Sequence, residues 1–397
     1  MLRNCRAYQW MLSRTGCRAL SASVALVAKG AGMAGYALET ALWHLQTALQ
    51  GNPWTALEAY LPRPKGSSLP PPPLRKTKAG LALSVIVPVH NGETTIASCL
   101  DSVLTQQTKY RMEVIVIEDS STDGTASVLN QYAARVRLLS IRGGSAAAAR
   151  NAGLAVAQGA YVMFVDSDDH LAPGAVEALL DAAQNQHADI VQGAWQYMTL
   201  DGTPGEVRRY IPMAYTGAHA CDRFDLPGMP WGKVYRRTLF VQVRFPEGFT
   251  AFEDSIIHFL IFRQAACIVA ISPVVYCWRR NPAGITATTQ HQTAALQGCW
   301  LMAELLRQDA RLHLPHDALY SRTLLMQLSN FCYANLAHLP EAAQQTAFRC
   351  CCALYRANAP EAMSPRLPFA VACAKKALAT EDFRRWTAQG KYFLLMS

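Results

Sequence analysis

The sequence predicts an α/β protein with a mostly parallel sheet that helices cover on both faces. Two observations lead to this prediction: strand-like and helix-like patterns alternate from residue 81 onward, and the strand-like segments are apolar on both faces. Strands that are apolar throughout are typical of parallel sheets, because helices bury both of their sides. The predicted strands are Leu81–Val89, Glu113–Ile117, Val136–Ile141, Tyr161–Val165 and Ile190–Tyr197.

Helical patterns fill the intervals between these strands. They lie at Ile96–Leu104, Val128–Tyr132, Ser145–Gln158 and Ala175–Gln184. A polar stretch, Thr199–Asp225, follows the last strand, and the chain beyond residue 292 is predicted to be helical almost throughout.

The chain divides into four predicted segments. Residues 1–61 form a basic, mostly helical N-terminal extension, 62–80 a proline-rich linker, 81–290 the α/β domain and 291–397 a helical C-terminal region. The linker contains four consecutive prolines, which favour an extended polyproline conformation. An amphipathic helix is expected over residues 34–60. Packing on the body of the protein is its preferred interpretation, and contact with an anionic membrane surface is the alternative.

Composition and charge exclude several classes of protein. A chain of 397 residues that is 51% hydrophobic and 16% charged is expected to be globular. Residues 1–80 hold ten Lys and Arg and two Glu, so they supply +8 of the net charge of +9. The net positive charge therefore comes from the N-terminal arm, and it does not indicate that the rest of the chain binds nucleic acid.

The cysteines and the apolar runs predict a location. Twelve scattered cysteines suggest buried thiols in a reducing compartment, and no apolar run of the N-terminal arm reaches the roughly 18 residues of a membrane span. We expect a cytoplasmic protein, with peripheral attachment at the inner face of the membrane as an open alternative.

Polar residues collect where three predicted strands end. They are Pro88–Gly92 after the first strand, Glu118–Gly124 after the second and Asp166–His170 after the fourth. In doubly wound sheets, ligands bind at the carboxyl ends of the strands. The chain has no P-loop motif and no GxGxxG after its first strand, which argues against a P-loop enzyme and weakens a dinucleotide oxidoreductase interpretation.

Asp166, Asp168 and Asp169 are too close together to be explained by capping alone. Like charges raise one another's pKa values unless a cation compensates them. A hard divalent ion, bound by carboxylates and substrate phosphates, is the preferred explanation. For the second loop a structural alternative stays open, in which Asp119 or Ser121 caps the helix that begins near Thr125.

Three motif segments carry a resemblance to a known family: SVIVPVHNGETTIASCLDSVLTQQ, EVIVIEDSSTDGT and GGSAAAARNAGLAVAQGAYVMFVDSDD. The sequence resembles the family 2 glycosyltransferases, inverting enzymes with the GT-A fold. The likeness covers about residues 83–200 and continues more loosely through WGKVYRR, FPEGFTAFEDS and GITAT at 284–288. It implies that residues 81–290 are a GT-A domain.

The resemblance assigns a role to each site residue, and every assignment is an expectation. Two residues of the ED motif are expected at the reaction centre, Asp254 as the general base and Glu253 beside it. Asp168 and Asp166 would bind Mn²⁺ or Mg²⁺. The nucleotide would lie against Pro88, Val89, His90, Asp119, Arg150, Asp166 and Ser167. The acceptor would contact Trp231, Lys233 and Asp169.

Some of these expectations have a structural alternative. Trp231 either stacks on an acceptor sugar or belongs to the core, and Glu253-Asp254 could cap the helix that follows. Arg279 and Arg280 either reach the diphosphate or form a solvated strand end.

The implied activity is metal-dependent, inverting transfer of a sugar from a nucleotide-sugar donor, a UDP-sugar in the first instance, to a saccharide or lipid-linked acceptor. A role in cell-surface polysaccharide or glycoconjugate synthesis follows from the resemblance alone. The alternatives are a sugar nucleotidyltransferase, which would need a Gly/Arg/Lys-rich loop where this chain has PVHNGE, and a non-catalytic carbohydrate-binding protein on the same fold.

Overall fold

The computed structural model describes residues 51–65, 69–216, 222–223, 225–281, 291–333, 339–359 and 369–393. Its strands are β1 Leu83–Val89, β2 Met112–Asp119, β3 Arg137–Ile141, β4 Tyr161–Phe164, β5 His170–Leu171, β6 Ile190–Met198, β7 Pro204–Arg208, β8 Met213–Ala214, β9 Lys233–Arg236 and β10 Ile268–Arg279. Its helices are α1 Pro53–Tyr60, α2 Ile96–Leu104, α3 Thr125–Asn130, α4 Ala146–Val156, α5 Ala175–Asn185, α6 Phe262–Gln264, α7 His291–Leu312, α8 Ala318–Tyr333, α9 Glu341–Ala357, α10 Phe369–Ala379 and α11 Phe383–Phe393. The expectations for residues 1–50 and for GITAT lie outside the described residues.

One sheet joins the ten described strands in the order β3-β2-β1-β4-β9-β6-β10-β5, with β7 beside β6 and β8 beside β10. Strands β3, β2, β1 and β4 run parallel, and β6 is parallel to β10. Strand β9 lies antiparallel between β4 and β6 and so joins the two parallel groups. The predicted fold class is confirmed.

Strand β1 shows how the sheet is buried on both faces. Val85 and Val87 pack in one apolar core with residues of α2 and α5, while Ile86 packs in a second core with α4. Gly153 lets α4 approach the sheet, because a Cβ atom there would lie 2.4 Å from the Ile86 side chain. This close packing fixes the position of α4 relative to the carboxyl ends of the strands.

Several strands have no counterpart in the predicted elements. Strands β7 and β8 lie within the polar stretch Thr199–Asp225, for which no strand was predicted, and β9 and β10 follow it. Strands β5 and β8 have two residues each, which is too short for a period-two pattern. Strand β10 is buried at both ends but exposed at Ser272 and Pro273, where its pairing with β6 is irregular.

Helices α7 to α11 form the helical C-terminal region that the sequence predicts, and they share an apolar core with α4. Helix α1 packs on α9, with Leu57 fully buried and the Trp54 and Trp300 rings 5.0 Å apart. For residues 53–60 this agrees with the preferred packing interpretation. None of the described helices is long and apolar enough to cross a membrane.

The proline-rich segment lies along the α/β domain. Residues 69–78 form no helix or strand. Arg237 donates hydrogen bonds to the Thr77 hydroxyl at 2.6 Å and to the Arg75 carbonyl at 2.9 Å, and the Lys78 amide donates to the Gln158 carbonyl at 2.9 Å. Arg244 also donates to the Pro70 carbonyl, so hydrogen bonds to four residues of the segment bind it to the domain.

Candidate active site

The carboxyl ends of β1, β2 and β4 meet at one edge of the sheet, as the parallel register requires. Pro88 and Val89 are buried within β1, while His90 is exposed. His90 Nδ1 lies 2.7 Å from the Asp119 carbonyl oxygen, which can only accept, so Nδ1 carries the donated proton. The predicted residues of the first two loops are thus brought together.

Asp119 holds the turn that precedes α4. It is 4% exposed and accepts hydrogen bonds from the Gly143 amide at 2.8 Å and the Ser145 amide at 3.0 Å. Gly143 is required there, because a Cβ atom would lie 2.5 Å from Ala148 Cβ, and Gly144 has a φ of +67°. Contact between Asp119 and a nucleotide base stays a prediction.

The structural alternative for the second loop, capping by Asp119 or Ser121, is wrong. Asp123 Oδ1 accepts from the Thr125 amide at 3.0 Å, and Glu93 Oε2 accepts from the Gly124 amide at 3.0 Å. The two carboxylates at the start of α3 are therefore Asp123 and Glu93, whereas Asp119 binds the backbone of the turn before α4.

The three aspartates after β4 have different partners. Asp166 Oδ1 accepts from Arg150 at 3.0 Å, and Asp168 Oδ2 accepts from Asn281 Nδ2 at 3.1 Å. Burial and the neighbouring Asp166 raise the pKa of Asp168. Ser167 lies between them and is half-buried.

Asp169 is a structural anchor in this arrangement. It is 1% exposed and accepts from the Tyr276 hydroxyl at 2.6 Å and the Arg279 amide at 2.7 Å. Burial raises its pKa well above the usual range, with Asp166 and Asp168 adding to the effect. The acceptor contact expected of Asp169 is therefore corrected, because both of its oxygens face β10 and not solvent.

Arg150 supplies a positive charge beside the acidic loop. It is 5% exposed in α4, and it donates to Asp166 at 3.0 Å and to Glu253 Oε1 at 2.8 Å. Burial would lower the pKa of Arg150, but the two carboxylates raise it above its usual range. Its guanidinium also lies 5.5 Å from the centre of the Phe245 ring. Arg150 was expected to face the nucleotide, and the structure instead places it between two site carboxylates.

The ED motif lies on irregular backbone. Phe252 has a φ of +66°, and Glu253–Ser255 form a 3₁₀ turn that leads into a π-helical turn, Ile257–Ile261. Neither carboxylate caps that turn, so the capping alternative is wrong. Asp254 is partly buried, and burial, with the charge of Glu253, raises its pKa to about 7.

Trp231 and Lys233 belong to the core beneath the site. Trp231 is 4% exposed and stacks on the Tyr276 ring, with centroids 4.6 Å apart and planes 7° apart. Lys233 is fully buried and donates to the Met229 carbonyl at 2.7 Å and the Trp231 carbonyl at 3.3 Å. Burial lowers the pKa of Lys233 well below its usual range. The expected acceptor contacts of Trp231 and Lys233 are corrected, and the core alternative for Trp231 is right.

Two residues of β10 hold the acidic loop: sequence reasoning missed Tyr276, and it named Arg279 for the diphosphate or for a solvated strand end, whereas Arg279 is buried. The Tyr276 hydroxyl donates to Asp169 and accepts from the Asp166 amide at 3.1 Å. The Arg279 guanidinium contacts His170 and the Ser98 hydroxyl, whereas Arg280 is exposed over the Tyr197 ring. No local sequence signal identifies these contacts, because they join residues about 110 positions apart.

In the described part of the chain, no three His, Cys, Asp or Glu side chains converge to hold a metal ion. A divalent ion at Asp166 and Asp168 would need further oxygen ligands from a substrate or from water, which is the usual arrangement for Mg²⁺. The two carboxylates fit such an ion for two reasons. Their oxygen atoms are the ligands that a hard cation prefers, and a bound cation would offset the repulsion between their negative charges.

Comparison with known proteins adds a family to this geometry. Residues 84–244 match the family model described as Glycosyl transferase family 2. The uncharacterized glycosyltransferase EpsJ of Bacillus subtilis is 28% identical over 221 residues, covering 51% of this chain and 62% of EpsJ. Glycosyltransferase GlyG of Streptococcus pneumoniae is 29% identical over 228 residues, covering 52% of this chain and 73% of GlyG. The chain thus spans less than two thirds of EpsJ.

A solved structure agrees with the fold. The crystal structure of Staphylococcus aureus TarS 1-349 in complex with UDP-GlcNAc has a TM-score of 0.58 and 18% identity, over 80% of this chain and 93% of that chain. At that identity the likeness concerns the fold alone. The family match covers the strand ends that carry His90, Asp119 and Asp166 to Asp169. Residues 84–244 of this chain form a domain of glycosyl transferase family 2.

Proposed function

We propose that this chain transfers a sugar from a UDP-sugar donor to a hydroxyl group of a saccharide or lipid-linked acceptor, with inversion at the anomeric carbon. The observation that carries this proposal is the double contact of Arg150. One buried guanidinium binds Asp166 at the donor edge and Glu253 beside Asp254. Single displacement needs charge stabilisation on the leaving-group side and a base on the acceptor side, and Arg150 ties these two sides together.

The donor half consists of the three strand ends. His90, Asp119 and the backbone of Pro88 and Val89 offer polar atoms for a nucleoside, and Ser167 lies in the loop beside them. The choice of UDP draws on TarS, whose structure was solved with UDP-GlcNAc. TarS of Staphylococcus aureus, a poly(ribitol-phosphate) β-N-acetylglucosaminyltransferase, is 29% identical to this chain over 214 residues. Its name gives a poly(ribitol-phosphate) acceptor, which supports transfer to a hydroxyl group of a polymer.

Asp168 and Asp166 are the residues that would hold Mn²⁺ or Mg²⁺. Both have carboxylate oxygens at the sheet edge, and neither side chain is fully buried. When bound, such an ion stabilises the negative charge that develops on the leaving diphosphate. Arg150 fixes one oxygen of Asp166, which orients the remaining oxygen.

Asp254 is the base that accepts the proton of the attacking hydroxyl group. A pKa of about 7 suits this task, because a base works best when its pKa lies near the operating pH. Glu253 does not need to touch the acceptor in this scheme. Its contact with Arg150 positions the turn that carries Asp254.

Replacement of the base tests the proposal. Asp254→Asn should lower kcat by about 10²- to 10⁴-fold, the usual contribution of general base catalysis, and leave the Kd for UDP unchanged. Asp201→Asn, in the exposed turn after β6, is the matched control and should transfer at the wild-type rate. Transfer at the wild-type rate by Asp254→Asn would overturn the assignment of the base.

The donor is tested by a thermal-shift panel of UDP, GDP, ADP and TDP, each with and without Mn²⁺. A bound ligand raises the melting temperature according to its concentration relative to Kd. We expect the largest shift for UDP with Mn²⁺. If no nucleoside diphosphate shifts the melting temperature under either condition, the proposal fails.

A further inference from the structure

Helix α7 lies outside residues 84–244, the part of the chain that matches the family. It runs beside the segment 244–263, which carries the ED motif. Three of its polar side chains contact that segment, and they are Gln297, Gln308 and Asp309.

The first contact precedes the motif by about ten residues. The Arg244 amide donates to Gln308 Oε1 at 3.0 Å, and Gln308 Nε2 donates back to the Arg244 carbonyl at 3.1 Å. Gln308 is 1% exposed, so water does not compete for these bonds. A reciprocal amide pair of this kind fixes both the position and the orientation of the backbone at Arg244.

The second contact lies immediately before the motif. Gln297 Oε1 accepts from the Thr250 amide at 3.0 Å and from the Thr250 hydroxyl at 3.1 Å. Gln297 is 8% exposed. Two residues further on, Phe252 has a φ of +66°, a backbone conformation that residues other than glycine rarely adopt.

The third contact follows the motif. Arg263 donates to Asp309 Oδ1 at 2.5 Å, and both side chains are 2% exposed. The guanidinium also lies 4.8 Å from the centre of the Tyr320 ring. Between the motif and Arg263, nearly every residue is buried, and most of them share an apolar core with the C-terminal helices, so the contact at Arg263 helps to fix where this stretch lies.

These contacts have a mechanical consequence. The segment 244–263 belongs to no strand, and it contains a left-handed residue, a 3₁₀ turn and a π-helical turn in succession. Strained backbone of this kind persists only where the surrounding structure holds it, and it is concentrated at functional sites. Helix α7 contacts the segment on both sides of the strained residue, at Thr250 and at Arg263.

We propose that α7 is the element that positions Asp254, with Gln297 and Asp309 as positioning residues. The inference rests on the proposed role of Asp254 as the base. Two constraints then locate the motif: Arg150 holds Glu253 from the side of the sheet, and α7 holds the flanking backbone from the side of the C-terminal helices. Helix α7 thereby helps to position the catalytic residue, although the family match stops short of this helix.

Gln297→Met tests the proposal with little risk to folding, because Thr250 is exposed and water can replace the lost acceptor. We expect kcat to fall about 3- to 10-fold with the Kd for UDP unchanged, because the two hydrogen bonds from Thr250 no longer hold the backbone before the motif. Gln297→Glu keeps an acceptor oxygen and should restore at least half of the wild-type kcat. Gln344→Met, on α9, removes an amide that bonds the Leu339 carbonyl and should leave kcat unchanged.

Hydrogen exchange of the full-length protein gives a readout that does not depend on activity. Gln297→Met should raise exchange in a peptide spanning residues 249–256 and leave the peptide spanning 161–170 at the wild-type rate. Asp309→Asn should raise exchange in 257–264 and lower kcat further, since it leaves Arg263 without its carboxylate.

Wild-type exchange in residues 249–256 of Gln297→Met would overturn the proposal, and so would raised exchange with a wild-type kcat. If the wild-type protein binds UDP but transfers no sugar, the proposed function fails. In that case, raised exchange confined to residues 249–264 would still support α7 as the element that holds the segment.

Discussion

The donor edge and the segment 244–263 lie on opposite sides of Arg150, and they are built in different ways. At the donor edge, His90, Asp119 and Asp166 each lie at the end of a regular parallel strand, so their place in the chain determines their place in the fold. The second segment has almost no regular structure, and contacts with α4 and α7 hold it. A motif at a strand end can therefore be located from sequence, whereas a motif on irregular backbone can be located only through its long-range partners.

The largest effect is expected at Arg150, because it belongs to both regions. Arg150→Met leaves Asp166 and Glu253 without the cation between them. Breaking a buried ion pair by removing one partner costs about 3–5 kcal/mol. We expect the free energy of unfolding to fall by that order and kcat/KM to fall about 10³-fold, as measured by urea denaturation and steady-state kinetics.

Two further variants distinguish the effect of the charge at Arg150 from the effect of losing any buried arginine. Arg150→Lys keeps the charge but lacks the planar guanidinium group, so it should bind one carboxylate at a time. Its free energy of unfolding and its kcat/KM should lie between those of wild type and Arg150→Met. Arg237→Met removes another buried arginine, away from the site, and should lower stability with kcat unchanged. A wild-type kcat in Arg150→Met would show that the two regions are not joined through Arg150.

The second prediction concerns the pH dependence of the segment 244–263. Only the ionised form of Asp254 accepts a proton, and burial raises its pKa to about 7. The value of kcat/KM should therefore decrease about tenfold for each pH unit below 7. Asp254→Asn should have no such acidic limb, and an unchanged limb in that variant would assign it to another group.

The same shift predicts a cost in stability. Because its folded pKa is raised from 3.8, native Asp254 holds its proton between about pH 4 and pH 7, where the unfolded chain has lost it. The free energy of unfolding should decrease as pH rises through this window, by at most about 4 kcal/mol. Asp254→Asn should therefore be more stable than wild type at pH 8 and nearly equal to it at pH 4, as measured by denaturant unfolding.

The sequence predicted that the polar strand ends meet at one edge of the sheet, because the signals for this are local. Alternating apolar strands and helices indicated the sheet, and the polar residues after each strand indicated the edge at which they meet. The cation beside Asp166 was expected from charge repulsion, although the structure supplies Arg150 at that place.

The remaining site residues depend on tertiary contacts that no local pattern reports. Asp169 and Trp231 were both expected to contact the acceptor, but Tyr276, on β10, binds the first and stacks on the second. Strand β10 itself was not predicted. Unless β10 is known, the sequence offers no partner for Asp169 or Trp231, so the burial of these two side chains could not be inferred.

A third prediction tests whether β10 holds the donor edge. Tyr276→Phe keeps the ring stacked on Trp231 but removes the hydroxyl that donates to Asp169. Leaving a buried acceptor without its donor costs about 1–3 kcal/mol, so the free energy of unfolding should fall by that amount. The loop of Asp166 and Asp168 should loosen as well, and titration calorimetry should show UDP with Mn²⁺ binding several-fold more weakly.

Tyr161→Phe is the matched control for this change. Its hydroxyl donates to the Ala188 carbonyl at 2.8 Å, at the opposite end of β4, so its loss should lower stability without weakening nucleotide binding. Equal binding by the Tyr161 and Tyr276 variants would show that the donor edge keeps its shape without β10.

The smallest effect is expected at Thr77 of the proline-rich segment, whose hydroxyl contacts neither region of the site. Thr77→Val removes the hydroxyl that accepts from Arg237 at 2.6 Å, and Thr77→Ser keeps it. One hydrogen bond contributes about 1 kcal/mol, so urea denaturation should show a loss of that size for valine and almost none for serine. Because Arg237 also donates to the Gly159 carbonyl, just before β4, the segment stabilises the domain from the edge opposite the site, and kcat should stay at the wild-type value. If valine and serine are equally stable, residues 69–78 are a linker in energetic terms, and the contacts seen there do not contribute to the fold.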